Sequence, residues 1–275
     1  TTLGFQFESK LPNNLTAYAR LEEDGFDAVD GGATTNFTDE AYFGIEGNFG
    51  KIQFGRNDSI YSDKISGYFD YHQYVTPTQY SPTRERALQF YSANLDGFSV
   101  TLEAGINGDD DETIQNNAGN QDANGNTAES VSLAGALSYA AGPVTVTGAI
   151  DQRGNDTGSL SNSGLYADNP IYGFVGSVDF NPVMLSAGFQ SAEEEAATGT
   201  ADADIFSVDA QYAYEFGSLY STYSAIDVDG ANERDEVLFG GTYGVGQIYG
   251  FVEYIQYDRN NDQGDTLSVG GGYAF

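Results

Sequence analysis

Apolar and polar residues alternate with a period of two in segment after segment of this 275-residue chain, and no other feature restricts its fold as tightly. Residues 15–22 place Leu15, Ala17, Ala19 and Leu21 on one face and Thr16, Tyr18, Arg20 and Glu22 on the other. Residues 98–105 set Phe98, Val100, Leu102 and Ala104 against Ser99, Thr101, Glu103 and Gly105. Residues 206–216 repeat the pattern, with Phe206, Val208, Ala210, Tyr212, Tyr214 and Phe216 against Ser207, Asp209, Gln211, Ala213 and Glu215. Successive side chains of a β-strand point to opposite faces, so each segment reads as a strand with one apolar and one polar face.

Two architectures use such strands. A soluble sandwich turns the apolar faces inward. A membrane barrel turns them outward to lipid and lines water with the polar ones. The connections favour the barrel, because they alternate between short and long. Short turns fall near Leu11–Asn14, Gly47–Gly50, Leu95–Gly97, Ala141–Pro143, Asn181–Pro182, Gly217–Ser218 and Gly244–Gly246. Long polar connections fall near Asp24–Asn36, Asn57–Pro82, Asn107–Thr127, Arg153–Asp168, Ser191–Ala201, Asp229–Arg234 and Arg259–Gly264. Short turns on one side and long loops on the other are the barrel pattern, and strands of about ten residues suit a tilted span. No stretch approaches the roughly 20 apolar residues of a membrane helix. Tyr139, Tyr172, Phe174, Phe180, Phe189, Tyr214, Phe216, Tyr243, Tyr273 and Phe275 sit near strand ends, as interfacial girdles do.

Fifteen strands are expected: 1–9, 15–23, 38–47, 51–57, 84–93, 98–107, 129–140, 143–152, 170–180, 182–191, 203–216, 218–228, 234–243, 247–257 and 265–275. The first leads into a short turn and the last follows a long loop, so both run the same way. Closing an antiparallel barrel between them requires one more strand. The expectation is an all-β, transmembrane antiparallel β-barrel of sixteen strands, with the first supplied by residues outside this chain and 1–275 forming one domain.

Charge narrows the partners. The net charge is −31, from 41 acidic and 10 basic residues. That excludes nucleic acid, which needs clustered Lys and Arg. It fits an acidic vestibule that favours cations, and equally a protein adapted to high salt. The opening TTLGFQFESK lacks the basic and apolar regions of a signal peptide. The absence of Cys neither requires nor excludes an oxidising compartment. Catalysis finds little footing: His72 is the one histidine, and no G-x-S-x-G, H-E-x-x-H or paired-Cys motif occurs. Glycine pairs such as Gly240-Gly241 lie within strands, where they permit close packing or curvature.

Two stretches carry a family resemblance. Residues 1–22, TTLGFQFESKLPNNLTAYARLE, and residues 41–61, AYFGIEGNFGKIQFGRNDSIY, resemble the Gram-negative general porins of proteobacteria. The run Phe43-Gly44-Ile45-Glu46-Gly47-Asn48-Phe49-Gly50-Lys51-Ile52-Gln53-Phe54-Gly55-Arg56 is similar to the family's stretch leading into its third loop. Arg84 to Tyr91, followed by Asn94-Leu95-Asp96-Gly97-Phe98, resembles the strand and turn after that loop. Phe275, with Tyr273 two before it, is similar to the family's C-terminal assembly signal. The resemblance implies a sixteen-stranded barrel in the bacterial outer membrane, usually a homotrimer among lipid and lipopolysaccharide, with loop three folded into the lumen. Here that constriction loop is 58–83.

The resemblance also implies a site: acids on the loop facing arginines on the wall. The loop supplies Asp58, Asp63 and Asp70. Arg20 is the clearest wall candidate, since alternation puts it on the polar face. Arg56 is in phase with Ile52 and Phe54, so a bend must turn it inward. Arg84 and Arg86 share parity with Leu88 and Phe90, so a bulge is required. Such charges create a transverse field across a narrow aqueous gap, and the acidic excess predicts mild cation selectivity. The function expected is passive diffusion of ions and small hydrophilic solutes; a channel specific for a sugar or dicarboxylate is the alternative. No cofactor is expected beyond structural Ca²⁺ or Mg²⁺ at acidic loops, with Asp109, Asp110, Asp111 and Glu112 the weak candidates. Their spacing lacks the alternating ligands of an EF-hand. Glu193, Glu194 and Glu195 are expected in a solvated external loop.

Overall fold

The structure is a computed structural model and describes residues 3–23, 40–75, 77–106, 131–152, 170–196, 199–229, 233–258 and 265–273. Fifteen strands form one sheet: β1 (Leu3–Leu11), β2 (Leu15–Glu23), β3 (Glu40–Gly47), β4 (Gly50–Asp58), β5 (Thr83–Ser92), β6 (Phe98–Ile106), β7 (Val131–Ala141), β8 (Val144–Gln152), β9 (Ile171–Asp179), β10 (Val183–Ala196), β11 (Gly199–Tyr214), β12 (Gly217–Val228), β13 (Arg234–Val245), β14 (Ile248–Asp258) and β15 (Thr266–Tyr273). Each pairs antiparallel with its sequence neighbours, in the order β1 to β15. An odd number of strands joined by antiparallel steps leaves β1 and β15 parallel in direction. Among the described residues they are not paired with each other.

The apolar face is the outer one. Phe7, Phe43, Leu88, Leu102, Leu137, Phe174, Phe239, Val252 and Val269 are all exposed. A soluble sandwich would hold these residues in its core, and a contiguous apolar surface of this extent belongs against a nonaqueous partner. Aromatics pair along this face: Phe98 and Tyr139, cross-strand partners, have ring centroids 4.5 Å apart, and Phe216 and Tyr243 lie at 5.9 Å. Tyr214 is half-buried, its hydroxyl donating to the Thr242 carbonyl at 2.5 Å. Phe275 lies outside the described residues.

The polar face is the inner one, and the chain between β4 and β5 crosses it. This segment begins with α1 (Ile60–Lys64) and a 3-10 turn, Ser66–Tyr68. Ser59 caps α1 by accepting from the Ser62 amide at 3.1 Å. The Ser59 amide in turn donates to the Pro82 carbonyl at 3.1 Å, which ties the two ends of the crossing together. The five-residue α1 touches β4, β6, β7 and β8, and the Tyr61 hydroxyl reaches Gln190 of β10. A helix that short is about 8 Å long, while β4 and β10 of a flat sheet would stand about 29 Å apart. The sheet therefore curls around the segment.

Apolar side chains anchor it there. Tyr61, Ile65, Phe69 and Tyr80 are buried against Ile171, Val175, Ile205 and Ile226 of β9, β11 and β12. Val75 is buried with Tyr220, Leu238 and Ile255. Each such burial contributes roughly 1.5–3 kcal/mol. The inner face is cleared to receive the segment: a Cβ on Gly173 would lie 2.6 Å from Tyr61 Oη and 2.8 Å from Ile65 Cγ1. Close packing also explains Gly240, where a Cβ would lie 2.1 Å from Tyr220 Cε2.

One expected loop is instead strand. Residues 191–196 and 199–201 continue the β10–β11 ladder through Glu193↔Asp202 and Glu195↔Thr200 to Ala196↔Gly199. Glu193, Glu194 and Glu195 thus belong to a paired strand, where a loop was expected. The run SAEEEAATGTA has no apolar alternation, but that pattern is required only where one face meets lipid. A hairpin that continues beyond the apolar band can have water on both faces and keep its backbone pairing.

Candidate functional site

The crossing segment is held mainly by wall carboxylates and amides that accept from its backbone. Glu253 receives the amides of Gln73 at 2.5 Å, Tyr74 at 2.9 Å and Val75 at 3.1 Å, together with the Tyr220 hydroxyl at 2.6 Å. Glu236 accepts from the Thr78 amide and hydroxyl, both at 2.7 Å. Glu103 accepts from the Ile60 amide at 3.0 Å, and Gln190 Oε1 from the Tyr80 amide at 3.1 Å. A backbone running through a sheet interior must find partners for its N–H groups. Inward-facing carboxylates supply strong ones, because hydrogen bonds to charged acceptors exceed neutral pairs. Ser66 adds a bond from its hydroxyl to the Tyr80 carbonyl within the segment.

Docked on β6 to β14 in this way, the segment leaves a gap on the side of β2 to β5. There a cavity of about 410 Å³ opens between the two. From the segment and the strand leading into it, Asp58, Ser62, Asp63, Gly67, Asp70 and Ser81 line the cavity; from the wall come Glu40, Tyr42, Lys51, Asn57 and Tyr91. Asp58, Asp63 and Asp70, the three acids singled out by sequence, therefore meet in one passage. All three are exposed.

The arginines are arranged differently. Arg20 is on the inner face but stands one strand back, with Nη2 2.5 Å from Glu22 and Nε 2.6 Å from Glu40. Two acids thus balance its charge, and Glu40 rather than Arg20 reaches the passage. The irregularity needed by Arg56, Arg84 and Arg86 is present: the β4–β5 register shifts between Gly55 and Asn57, so Gly55 faces Ala87 and Asn57 faces Arg84. Gly55 permits it with φ +143°, and a Cβ there would lie 2.2 Å from the Ala41 carbonyl oxygen. Arg56 is half-buried and Arg86 exposed. The Arg84 side chain lies outside the described residues.

Among the described residues, the cation that lines the passage is Lys51, which sequence reasoning passed over. Its ammonium lies 4.0 Å from the Tyr91 ring centroid, and the Lys64 ammonium lies 5.4 Å from the same centroid. Lys64 is bound to Asp63 at 2.9 Å. Lys51 also lines a second cavity of about 380 Å³ with Asn14, Thr16, Glu46 and Ser92, toward the short-turn end. The signal for Lys51 was available: it is in phase with Gln53 and opposite in phase to Ile52 and Phe54. Behind the passage, Gln53 and Gln89 are joined at 2.7 Å, and both Tyr18 and Tyr91 hydroxyls bond to this pair. Asp109, Asp110, Asp111 and Glu112 lie outside the described residues.

The arrangement has no assembled catalytic group among the described residues. It is a gap with Asp58, Asp63 and Asp70 on the segment side, Glu40, Lys51 and two tyrosines on the wall side, and a second cavity beyond.

Known proteins resemble the chain along its length. The family model for Gram-negative porins matches residues 1–265. A monosaccharide porin of a Halomonas species is 26% identical over 316 aligned positions, covering 100% of this chain and 82% of the relative. The major outer membrane protein of Halomonas elongata matches with the same identity and coverage. Among solved structures, the anion-selective porin from Comamonas acidovorans superimposes with a TM-score of 0.75 at 19% identity, over 99% of this chain and 84% of that one. At that identity the likeness speaks for the fold: an antiparallel porin barrel.

Proposed function

Because the chain belongs to the Gram-negative porin family and so to the bacterial outer membrane, we propose that residues 1–275 form one transmembrane barrel domain, with a water-filled channel that passes ions and small hydrophilic solutes passively and mildly prefers cations. The observation that carries this reading is the passage beside the docked segment, where Glu40, Asp58, Asp63 and Asp70 face Lys51. Among the described residues five carboxylates, Glu22, Glu40, Asp58, Asp63 and Asp70, stand at or beside it against three cations, Lys51, Lys64 and Arg20, which leaves a local excess of negative charge. Rings of fixed charge set ion preference in pores. The porin fold does not fix the sign, since a neighbour of the same fold is named for anion selectivity; the side chains of the passage decide it.

The constriction is formed by 58–83, with the acids on the segment and Lys51, backed by Arg20, on the wall. Apolar solutes must disrupt the ordered water there, whereas polar ones align in the field. A homotrimer embedded among lipid and lipopolysaccharide is the assembly we expect, with no cofactor.

Single-channel conductance in a planar bilayer under a salt gradient tests the reading. Large, steady steps with a reversal potential of cationic sign support it. Folded, detergent-extracted protein that gives no conductance would refute the open channel, and an anionic sign would refute the selectivity.

A substrate-specific channel is the second reading. It is favoured by Tyr42 and Tyr91 at the passage and by the relative named for monosaccharides. Saturable block of current by one sugar or dicarboxylate distinguishes it.

A further inference from the structure

His72 is the one imidazole of the chain, and ion permeation makes no use of it. It lies where the crossing segment meets β12. Its ring stacks on Tyr71 with centroids 4.8 Å apart and meets Tyr220 edge-on at 5.3 Å. Nε2 lies 3.1 Å from Thr222 Oγ1. Thr222 donates its hydroxyl proton to Asp209 Oδ1 at 2.8 Å. With that proton committed, Thr222 can only accept from the ring, so Nε2 carries hydrogen and the direction runs His72 to Thr222 to Asp209. Nδ1 is buried and makes no hydrogen bond to the described residues.

The charged groups around it come from every packed element. Asp209 of β11 is reached through Thr222. Glu253 of β14 is reached through Tyr220 and through the amides of Gln73, Tyr74 and Val75, which follow His72 directly. Glu236 and Arg234 of β13 hold Thr78 further along. Asp70 lies two residues before, on the segment itself.

We propose that His72 is an acid-sensitive latch: neutral, it holds the 70–75 arm of the segment on β12 to β14, and protonated, it releases that arm toward the passage. A second proton would place a charge on a buried ring between two phenol rings, with only the Phe69 carbonyl to meet it. Water is the better partner for that charge. Turning the ring to water breaks its bond to Thr222 and unstacks Tyr71, at the position next to the three amides on Glu253.

Burial already pushes the imidazole down to about 4, against the pull of Glu253 and the Phe69 carbonyl. A free histidine titrates near 6.5. The docked arm therefore binds fewer protons than the released arm between those values. Its docking is at full strength above about 6.5 and is lost as pH falls toward 4, by a factor on the order of 300 across the window.

The latch rests on the channel reading only for its electrical consequence, so the test has two readouts. The chain has no cysteine, and Tyr74 is 74% exposed. Tyr74→Cys carrying an environment-sensitive fluorophore, in the full folded chain, is titrated from pH 8 to 4 beside the bilayer current. The expected result is an emission change with its midpoint between 4 and 6.5, with current fluctuations rising in step. His72→Gln, which keeps a donor for Thr222, and His72→Phe should each abolish the transition; either suffices if the other does not fold. A silent probe overturns the latch. A midpoint unchanged by both substitutions also overturns it, placing the response on the surrounding carboxylates. A probe transition that depends on His72 but occurs without any conductance supports the latch and refutes the channel.

Discussion

Replacing Glu253 by glutamine should loosen the crossing segment more than any other single change of a polar wall residue. The carboxylate meets four donors with two oxygens: Gln73 N and Tyr220 Oη at Oε1, and Tyr74 N and Val75 N at Oε2. An amide has one oxygen and an NH₂ group. Its best placement keeps the oxygen on Tyr74 N and Val75 N and turns the NH₂ to Gln73 N and Tyr220 Oη, where the hydroxyl can accept but the Gln73 amide faces another donor. Hydrogen bonds to charged groups contribute roughly 1.5–3 kcal/mol each and neutral ones about 1 kcal/mol, so one bond lost and two weakened by the loss of charge amount to about 3–6 kcal/mol. Water reaching the gap offsets part of this, which leaves about 2–4 kcal/mol. At 1.4 kcal/mol per tenfold, the released population rises roughly 30- to 700-fold. Amide hydrogen exchange reads that ratio directly, because protection falls with the free energy of local opening. The amides of Gln73, Tyr74 and Val75 should lose protection by that factor, while those of β2 and β3 keep theirs. If the three amides exchange within threefold of the parent protein, Glu253 does not hold the segment. Rapid exchange throughout the barrel would show a general loss of structure and would likewise refute the local assignment.

Three further outcomes follow from the passage and its wall. Lys51→Ala should raise cation preference; one charge about 5 Å from the ion path in a water-like dielectric changes each permeability by roughly fourfold in opposite senses, and so the cation-to-anion ratio by roughly sixteenfold before screening. Reversal potentials at low salt measure it, and an unchanged value would remove Lys51 from the conducting path. The triple change Asp58→Asn, Asp63→Asn and Asp70→Asn takes the lining carboxylates from four to one and should abolish the preference, whereas retained selectivity would locate it in the external loops. Gly173→Ala drives a methyl into Tyr61 and Ile65 and should weaken docking by about 1–3 kcal/mol through overpacking, read as faster exchange of the amides of residues 60–65.

Much of the barrel was legible in the chain because lipid on one side and water on the other impose alternation on every residue of a span. All fifteen expected strands are present, most with ends within two or three residues. The rule fails where its cause is missing. Beyond the apolar band nothing demands alternation, so the β10–β11 hairpin runs on through Glu193–Glu195 unannounced. Alternation also misleads where the inner face meets protein instead of water: Ile171, Val175, Ile205, Ile226, Leu238 and Ile255 are apolar and point inward because the crossing segment covers them. Strands apolar on both faces were the sequence signal for that docking surface.

The sequence by itself determined the strands, their order, which face meets lipid, and the acidic character of the segment between β4 and β5. Those follow from local periodicity and composition, which do not depend on what else is near. Only the tertiary structure decided which charges meet. Parity placed Arg20 on the inner face, but two acids, one on its own strand and one on the next, neutralise it there. The Gly55 irregularity resets the register that parity relies on at Arg84. Glu103, Glu236 and Glu253 serve as acceptors for backbone amides more than 40 residues away in sequence. A side chain's phase along its strand is a local property. Its partner is fixed by how the sheet curls and where the segment lies across it, and those depend on the packing of the whole chain.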